Sequence, residues 1–87
     1  MKVSNMTNRN GKTIPNQFII EDCGELTFQS YKSIIVRRYA DGKIVLDSIY
    51  WDYSRTTGKY RNLFLGESKK ETEQKIKDGV YQLVNLF

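Results

Sequence analysis

The sequence predicts an α+β domain: a small antiparallel β-sheet of three to five strands, followed by two short helices in the C-terminal half. Three observations predict it. Up to Asp47 the apolar residues recur with the period of two that marks strands, and β-branched residues are frequent. Asp41-Gly42 divides two such runs, SIIVRRY and KIVLD, as a hairpin turn does. Beyond Ser54 the period lengthens to that of a helix, and Ser68-x-x-Glu71 opens a second helix as a capping box.

Residues 1–9 are expected to be flexible. Asn10-Gly11 suits a hairpin turn, because both residues tolerate positive φ. Ile14 precedes the only proline, Pro15, and is held extended by it. Gln17 to Ile20 is the first expected strand, and Asp22-Cys23-Gly24 a turn. Glu25 to Ser30 follows, with Leu26 and Phe28 on one face. Ser33 to Tyr39 puts Ile34 and Val36 on one face and Ile35, Arg37 and Tyr39 on the other. Asp41-Gly42 is expected to form a type I′ turn, from which Lys43 to Asp47 returns with Ile44 and Leu46 together.

Ser54 caps the first helix by accepting free amides of its first turn. Tyr60, Leu63 and Phe64 then share one helical face, and Gly66 ends the run in a left-handed conformation. The second helix spans Lys69 to Lys77, has Ile76 as its apolar anchor, and stops at Gly79. Tyr81, Leu83 and Phe87 form a last extended segment able to join the sheet.

Eighty-seven residues make a single domain, 1–87, with a thin stability margin. One cysteine, Cys23, and no histidine exclude an intramolecular disulfide, a thiolate or imidazole metal site, and histidine acid–base chemistry. Serine and threonine are plentiful, but no base is matched to them, so nucleophilic catalysis has no basis. Glu21, Asp22 and Glu25 suit a hard cation by type, but their spacing is that of a polar turn. The chain therefore reads as a non-enzyme without cofactor or metal. The N-terminus lacks an apolar signal core, and no apolar run approaches the ~20 residues that span a bilayer, so a cytoplasmic location without membrane insertion is expected.

The stretch Tyr50 to Gly66, YWDYSRTTGKYRNLFLG, concentrates five of the chain's eleven aromatics and three cations against one acid. Aromatics offer area at low entropy cost, and guanidinium groups offer forked donors that also stack on rings. One reading places Trp51, Tyr60, Leu63 and Phe64 in the core, with Arg55, Lys59 and Arg61 on the wet face. The functional reading makes Tyr53, Arg55, Lys59 and Arg61 an exposed recognition patch, joined by Lys32 and by Arg37 or Arg38. A net charge of +4 permits an anionic partner.

Four blocks carry a resemblance over most of the chain: NGKTIPNQF (Asn10 to Phe18), FQSYKSII (Phe28 to Ile35), WDYSRTTGKYRNLFLG (Trp51 to Gly66) and KKETEQKIKDGVYQL (Lys69 to Leu83). Together they resemble a family of small uncharacterised proteins of bacteriophages and prophages. The resemblance implies an accessory gene product in the cytoplasm of a bacterial host cell, of the kind that inhibits a host defence or host-takeover target by binding it. It supplies no catalytic or binding residues. Two functions are thus expected: binding of a host protein, or binding of nucleic acid through the aromatic and cationic patch. The chain is expected to be a monomer or a homodimer, since sheet edges pair readily between chains.

Overall fold

The structure is a computed structural model that describes residues 1–86. Phe87, expected in the last extended segment, lies outside the described residues. Six strands form one sheet in sequential order: β1 (Lys2–Thr7), β2 (Thr13–Asp22), β3 (Glu25–Ser30), β4 (Ser33–Arg38), β5 (Ile44–Asp47) and β6 (Gln82–Val84). Helices α1 (Arg55–Leu65) and α2 (Lys69–Lys77) lie between β5 and β6. The α+β class and the two C-terminal helices agree with the sequence reading.

The sheet corrects that reading twice. It has six strands rather than three to five, and it is mixed. β1 to β5 pair antiparallel as a meander, whereas β6 pairs parallel to β5. A parallel partner needs a crossover, and both helices form it. The additional N-terminal strand falls where flexibility was expected. Its alternation is masked by polar side chains, yet Lys2, Val3, Ser4 and Asn5 pair in register with Glu21, Ile20, Ile19 and Phe18.

The β1–β2 hairpin closes around Asn8 to Lys12, whose backbones bond across the turn, as Asn10-Gly11 led one to expect. The pairing then jumps from Asn5↔Phe18 to Thr7↔Thr13, so Ile14 to Gln17 bulge away from β1. Pro15, which has no N–H to donate, sits in this bulge. Asn5 Nδ2 donates to the Ile14 carbonyl at 3.1 Å, and the Tyr31 amide donates to the Asn16 carbonyl at 2.7 Å.

The turn at Asp41-Gly42 is not type I′. Only Gly42 has positive φ, at 92°, and Asp41 does not. The Gly42 amide donates to the Tyr39 carbonyl and the Tyr39 amide to the Lys43 carbonyl. This is a three-residue loop with Gly42 as the bulge residue, and Asp41 Oδ1 tightens it by accepting from the Lys43 amide at 2.9 Å. A two-residue turn with both φ values positive occurs instead at Cys23 (51°) and Gly24 (81°), between paired Asp22 and Glu25.

Ile19, Phe28, Val36 and Leu46 are cross-strand neighbours and form the row beneath α1. Phe28, Val36 and Leu46 have no exposed surface. Burial of each contributes roughly 1.5–3 kcal/mol. Phe64 of α1 stacks on Phe28 with centroids 5.8 Å apart. A bulge between Phe28 and Gln29 breaks the expected alternation in β4, so the adjacent residues Ile35 and Val36 are both core. Ile34 leaves its expected partner Val36 and lines a different surface with Ile20, Thr27 and Arg37.

Both helices begin and end as their sequences prescribe. Ser54 Oγ accepts from the Thr57 amide, and Gly66 terminates α1 at φ 70°. Ser68 and Glu71 make the reciprocal capping box of α2. The Val80 amide bonds the Lys75 carbonyl and the Gly79 amide bonds the Ile76 carbonyl, a Schellman closure that turns the chain toward β6.

Candidate functional site

The segment between β5 and α1 is held by Asp47, which is 1% exposed. Its Oδ2 accepts from the amides of Ile49 (3.0 Å) and Tyr50 (2.8 Å), and its Oδ1 accepts from the Leu86 amide (2.9 Å). One carboxylate thus ties the aromatic loop to the C-terminal segment. The sequence reading missed this role, since an aspartate at a strand end also reads as a turn residue.

Arg61 departs furthest from expectation. It is fully buried, not part of an exposed patch. Its Nη1 donates to the Trp51 carbonyl at 2.8 Å and to Asp52 Oδ1 at 3.0 Å, and its Nη2 donates to Asn62 Oδ1 at 2.9 Å. The guanidinium carbon lies 5.2 Å from the Trp51 ring centroid. Gly58, one turn earlier on α1, lies beside the guanidinium, and a Cβ there would meet Nη2 at an ordinary contact distance of 3.6 Å. Arg61 therefore pins the aromatic loop against α1. Periodicity hides this, because a charged residue beside Tyr60 reads as solvated until its partners are known.

Asp52 completes the ion pair with Arg61 and also meets Lys69 Nζ at 2.7 Å, so one carboxylate bridges α1 to the start of α2. Partial burial works to raise its pKa. The hydrogen bonds and charges of Lys69 and Arg61 together outweigh that and hold it below the ordinary value. The same pairing raises the pKa of Lys69. Just before α2, Glu67 accepts from the Tyr81 hydroxyl and pairs with Lys75 at 2.9 Å. Burial, then the Glu67 hydrogen bond, raise the Tyr81 pKa and keep the phenol neutral.

The remaining candidates divide into two groups. Tyr53 is 69% exposed, its ring 5.3 Å from that of Tyr50. Arg55 and Lys59 are exposed one turn apart on α1, and among the described residues neither has a carboxylate partner. These two cations share a shallow cleft with Asp52, Asn62 and Lys69. Lys69, read from sequence as a solvated helix charge, thus belongs beside them. Lys32 is exposed at the β3–β4 turn. Its neighbour Tyr31 is held at φ 56°, a left-handed conformation costing a β-carbon-bearing residue roughly 1–2 kcal/mol.

Arg37 and Arg38 do not join this patch. Arg38 packs its guanidinium 5.5 Å from the Phe64 ring on the α1 side. Arg37 lies on the opposite sheet face, its Nε 3.4 Å from Thr27 Oγ1. Both are half-buried and cover sheet surface rather than projecting from a hairpin tip. Glu21, Asp22 and Glu25 form no metal-holding cluster, and none exists among the described residues. No helix among them is long and apolar enough to cross a membrane.

The arrangement is suited to recognition. An exposed aromatic and two cations with no carboxylate partner among the described residues stand on a scaffold fixed by Asp47, Arg61 and Asp52. No curated protein and no solved structure matches the chain. A family match covers residues 1–79, and so includes β1 to β5, α1, α2 and every residue of the patch. The chain belongs to the family of unknown function DUF8033.

Proposed function

We propose that the chain is a non-enzymatic binding protein that docks an acidic surface of a partner protein through Tyr53, Arg55 and Lys59. The observation that carries this reading is the division of labour on α1. Arg61 and Asp52 are consumed in holding the loop, while Arg55 and Lys59 stay exposed, without ion pairs among the described residues, on the helix that follows an exposed tyrosine. Tyrosine and arginine are the residue types that most often carry interface energy. The resemblance to phage and prophage proteins supports a bacterial host protein as the partner, and inhibition of a defence or takeover target as the effect.

Nucleic acid is the competing ligand, and exposed Tyr53 offers it a stacking surface. The count of clustered cations favours protein. With Lys69 paired to Asp52, Arg55 and Lys59 neutralise about two phosphates, against the roughly 6–10 contacts of strongly salt-dependent binders.

The test is affinity capture from bacterial lysate with wild-type protein and the double variant Arg55→Glu/Lys59→Glu, alongside oligonucleotide titrations followed by Trp51 fluorescence. A protein retained by the wild type and lost by the double variant, at unchanged urea midpoint, is the expected result. Retention of that protein by both rejects the patch. A saturable oligonucleotide response abolished by salt rejects the protein reading in favour of nucleic acid.

A further inference from the structure

The loop that presents Tyr53 also roofs a cavity of about 150 Å³ between the β3–β4 turn and the start of α1. The rings of Tyr31, Tyr50 and Tyr53 line it, together with the buried side chain of Ile35. Three of its hydroxyl groups, those of Ser30, Ser54 and Thr57, are occupied with one another. Ser54 Oγ donates to Thr57 Oγ1 at 3.2 Å, and Thr57 Oγ1 donates to Ser30 Oγ at 3.3 Å. The Ser54 oxygen in turn accepts from the Thr57 amide at 3.1 Å. What the walls offer a visitor is therefore mainly aromatic and aliphatic surface. An apolar cavity of this volume accommodates a benzene-sized group.

Two exposed cations adjoin lining residues along the chain, and the one acid that does so, Asp52 beside Tyr53, is already paired with Arg61 and Lys69. Lys32 separates the lining residues Tyr31 and Ser33, and Arg55 follows the lining residue Ser54. Both cations are exposed, and neither has a carboxylate partner among the described residues. An apolar socket with an exposed cation in each of two bordering segments is complementary to an apolar side chain flanked by acids.

Resting on the acidic-partner reading, we propose that this cavity receives one phenyl-sized apolar side chain from an acidic segment of the partner protein. Tyr53 forms the wall of the socket, and Lys32 and Arg55 engage the acids on either side. Of these three residues only Tyr53 lines the cavity, and its contact with the partner is apolar rather than a hydrogen bond.

The experiment is an NMR titration of the full chain with two capped pentapeptides, acetyl-DEFDE-amide and acetyl-DEADE-amide. The phenylalanine peptide is expected to shift the Ile35 methyl and Tyr53 amide signals. It is expected to bind roughly tenfold to hundredfold more tightly than the alanine peptide, the difference that burial of one large apolar side chain makes. Ser33→Leu, which fills the cavity from β4, is expected to reduce the phenylalanine peptide to the alanine level. Tighter phenylalanine binding that survives in folded Ser33→Leu overturns the location. Equal binding of both peptides, with shifts only at Arg55 and Lys59, overturns the socket and leaves the acidic-partner reading standing. No shift with either peptide overturns both. The two-peptide comparison on the unaltered protein decides the matter even if Ser33→Leu fails to fold.

Discussion

Replacing Arg61 by alanine tests whether this residue is a structural pin or a surface recognition group. The side chain is 0% exposed and donates three hydrogen bonds, to the Trp51 carbonyl, Asp52 and Asn62. Removing one partner of a buried ion pair costs about 3–5 kcal/mol. Asp52 retains Lys69 at 2.7 Å and is itself 29% exposed, so water and a second cation compensate part of the lost charge. The expected loss is therefore at the lower end, about 3 kcal/mol, with the Trp51 carbonyl left unpaired as a contributor. A domain of this length is held by about 4–13 kcal/mol, so the change consumes a large share of its stability. The assay is urea denaturation followed both by far-UV circular dichroism and by Trp51 fluorescence, since Trp51 itself touches Arg61. Arg61→Lys is expected to fall between wild type and alanine: an ammonium keeps a charge for Asp52 but lacks the planar fork and the stacking surface. A loss below about 1 kcal/mol in Arg61→Ala, where surface changes commonly lie, refutes the pinning argument.

Two further outcomes are expected. The folded pKa of Asp52 lies below its ordinary 3.8, so its stabilisation is complete above that value and is lost as pH falls through the lower folded value. Urea midpoints measured across that acid window are expected to fall more steeply in wild type than in Asp52→Asn, and parallel profiles reject the linkage. Ser68→Ala removes the Oγ that accepts from the Glu71 amide, keeps the backbone amide that donates to the Glu71 carboxylate, and is expected to cost about 1 kcal/mol. Faster hydrogen exchange at the Glu71 amide checks it, and unchanged exchange refutes it.

Local features were legible because local chemistry decides them. Ser54 and Gly66 bound α1, and Ser68, Glu71 and Gly79 bound α2, since caps and left-handed closures involve residues only a few positions apart. β3 and most of β4 were legible from alternation, but the bulge that buries Ile35 beside Val36 was not. It arises from how β4 meets β3, and no pattern within β4 encodes it. The turn at Asp41-Gly42 shows the same boundary. Its composition marks a hairpin, while the pairing of Arg38 with Ile44 sets the loop length and hence the turn geometry.

The candidate site divides along similar lines. Tyr53, Arg55 and Lys59 were identifiable as an aromatic and cationic cluster, and all three stand exposed. Arg61, from the same run, went inward, and Lys69 joined from another helix. By itself the sequence determined the α+β class, the hairpin positions, the ends of both helices and the segment that holds the exposed Tyr53, Arg55 and Lys59. Those depend on φ preferences, caps and side-chain periods that act over a few residues. Only the tertiary structure decided that β6 runs parallel at the sheet edge, that residues 2–7 pair as a strand, and which cations face water. A guanidinium is buried when a carbonyl and a carboxylate converge on it, and the convergence of Trp51, Asp52 and Asn62 on Arg61 is a property of the assembled fold.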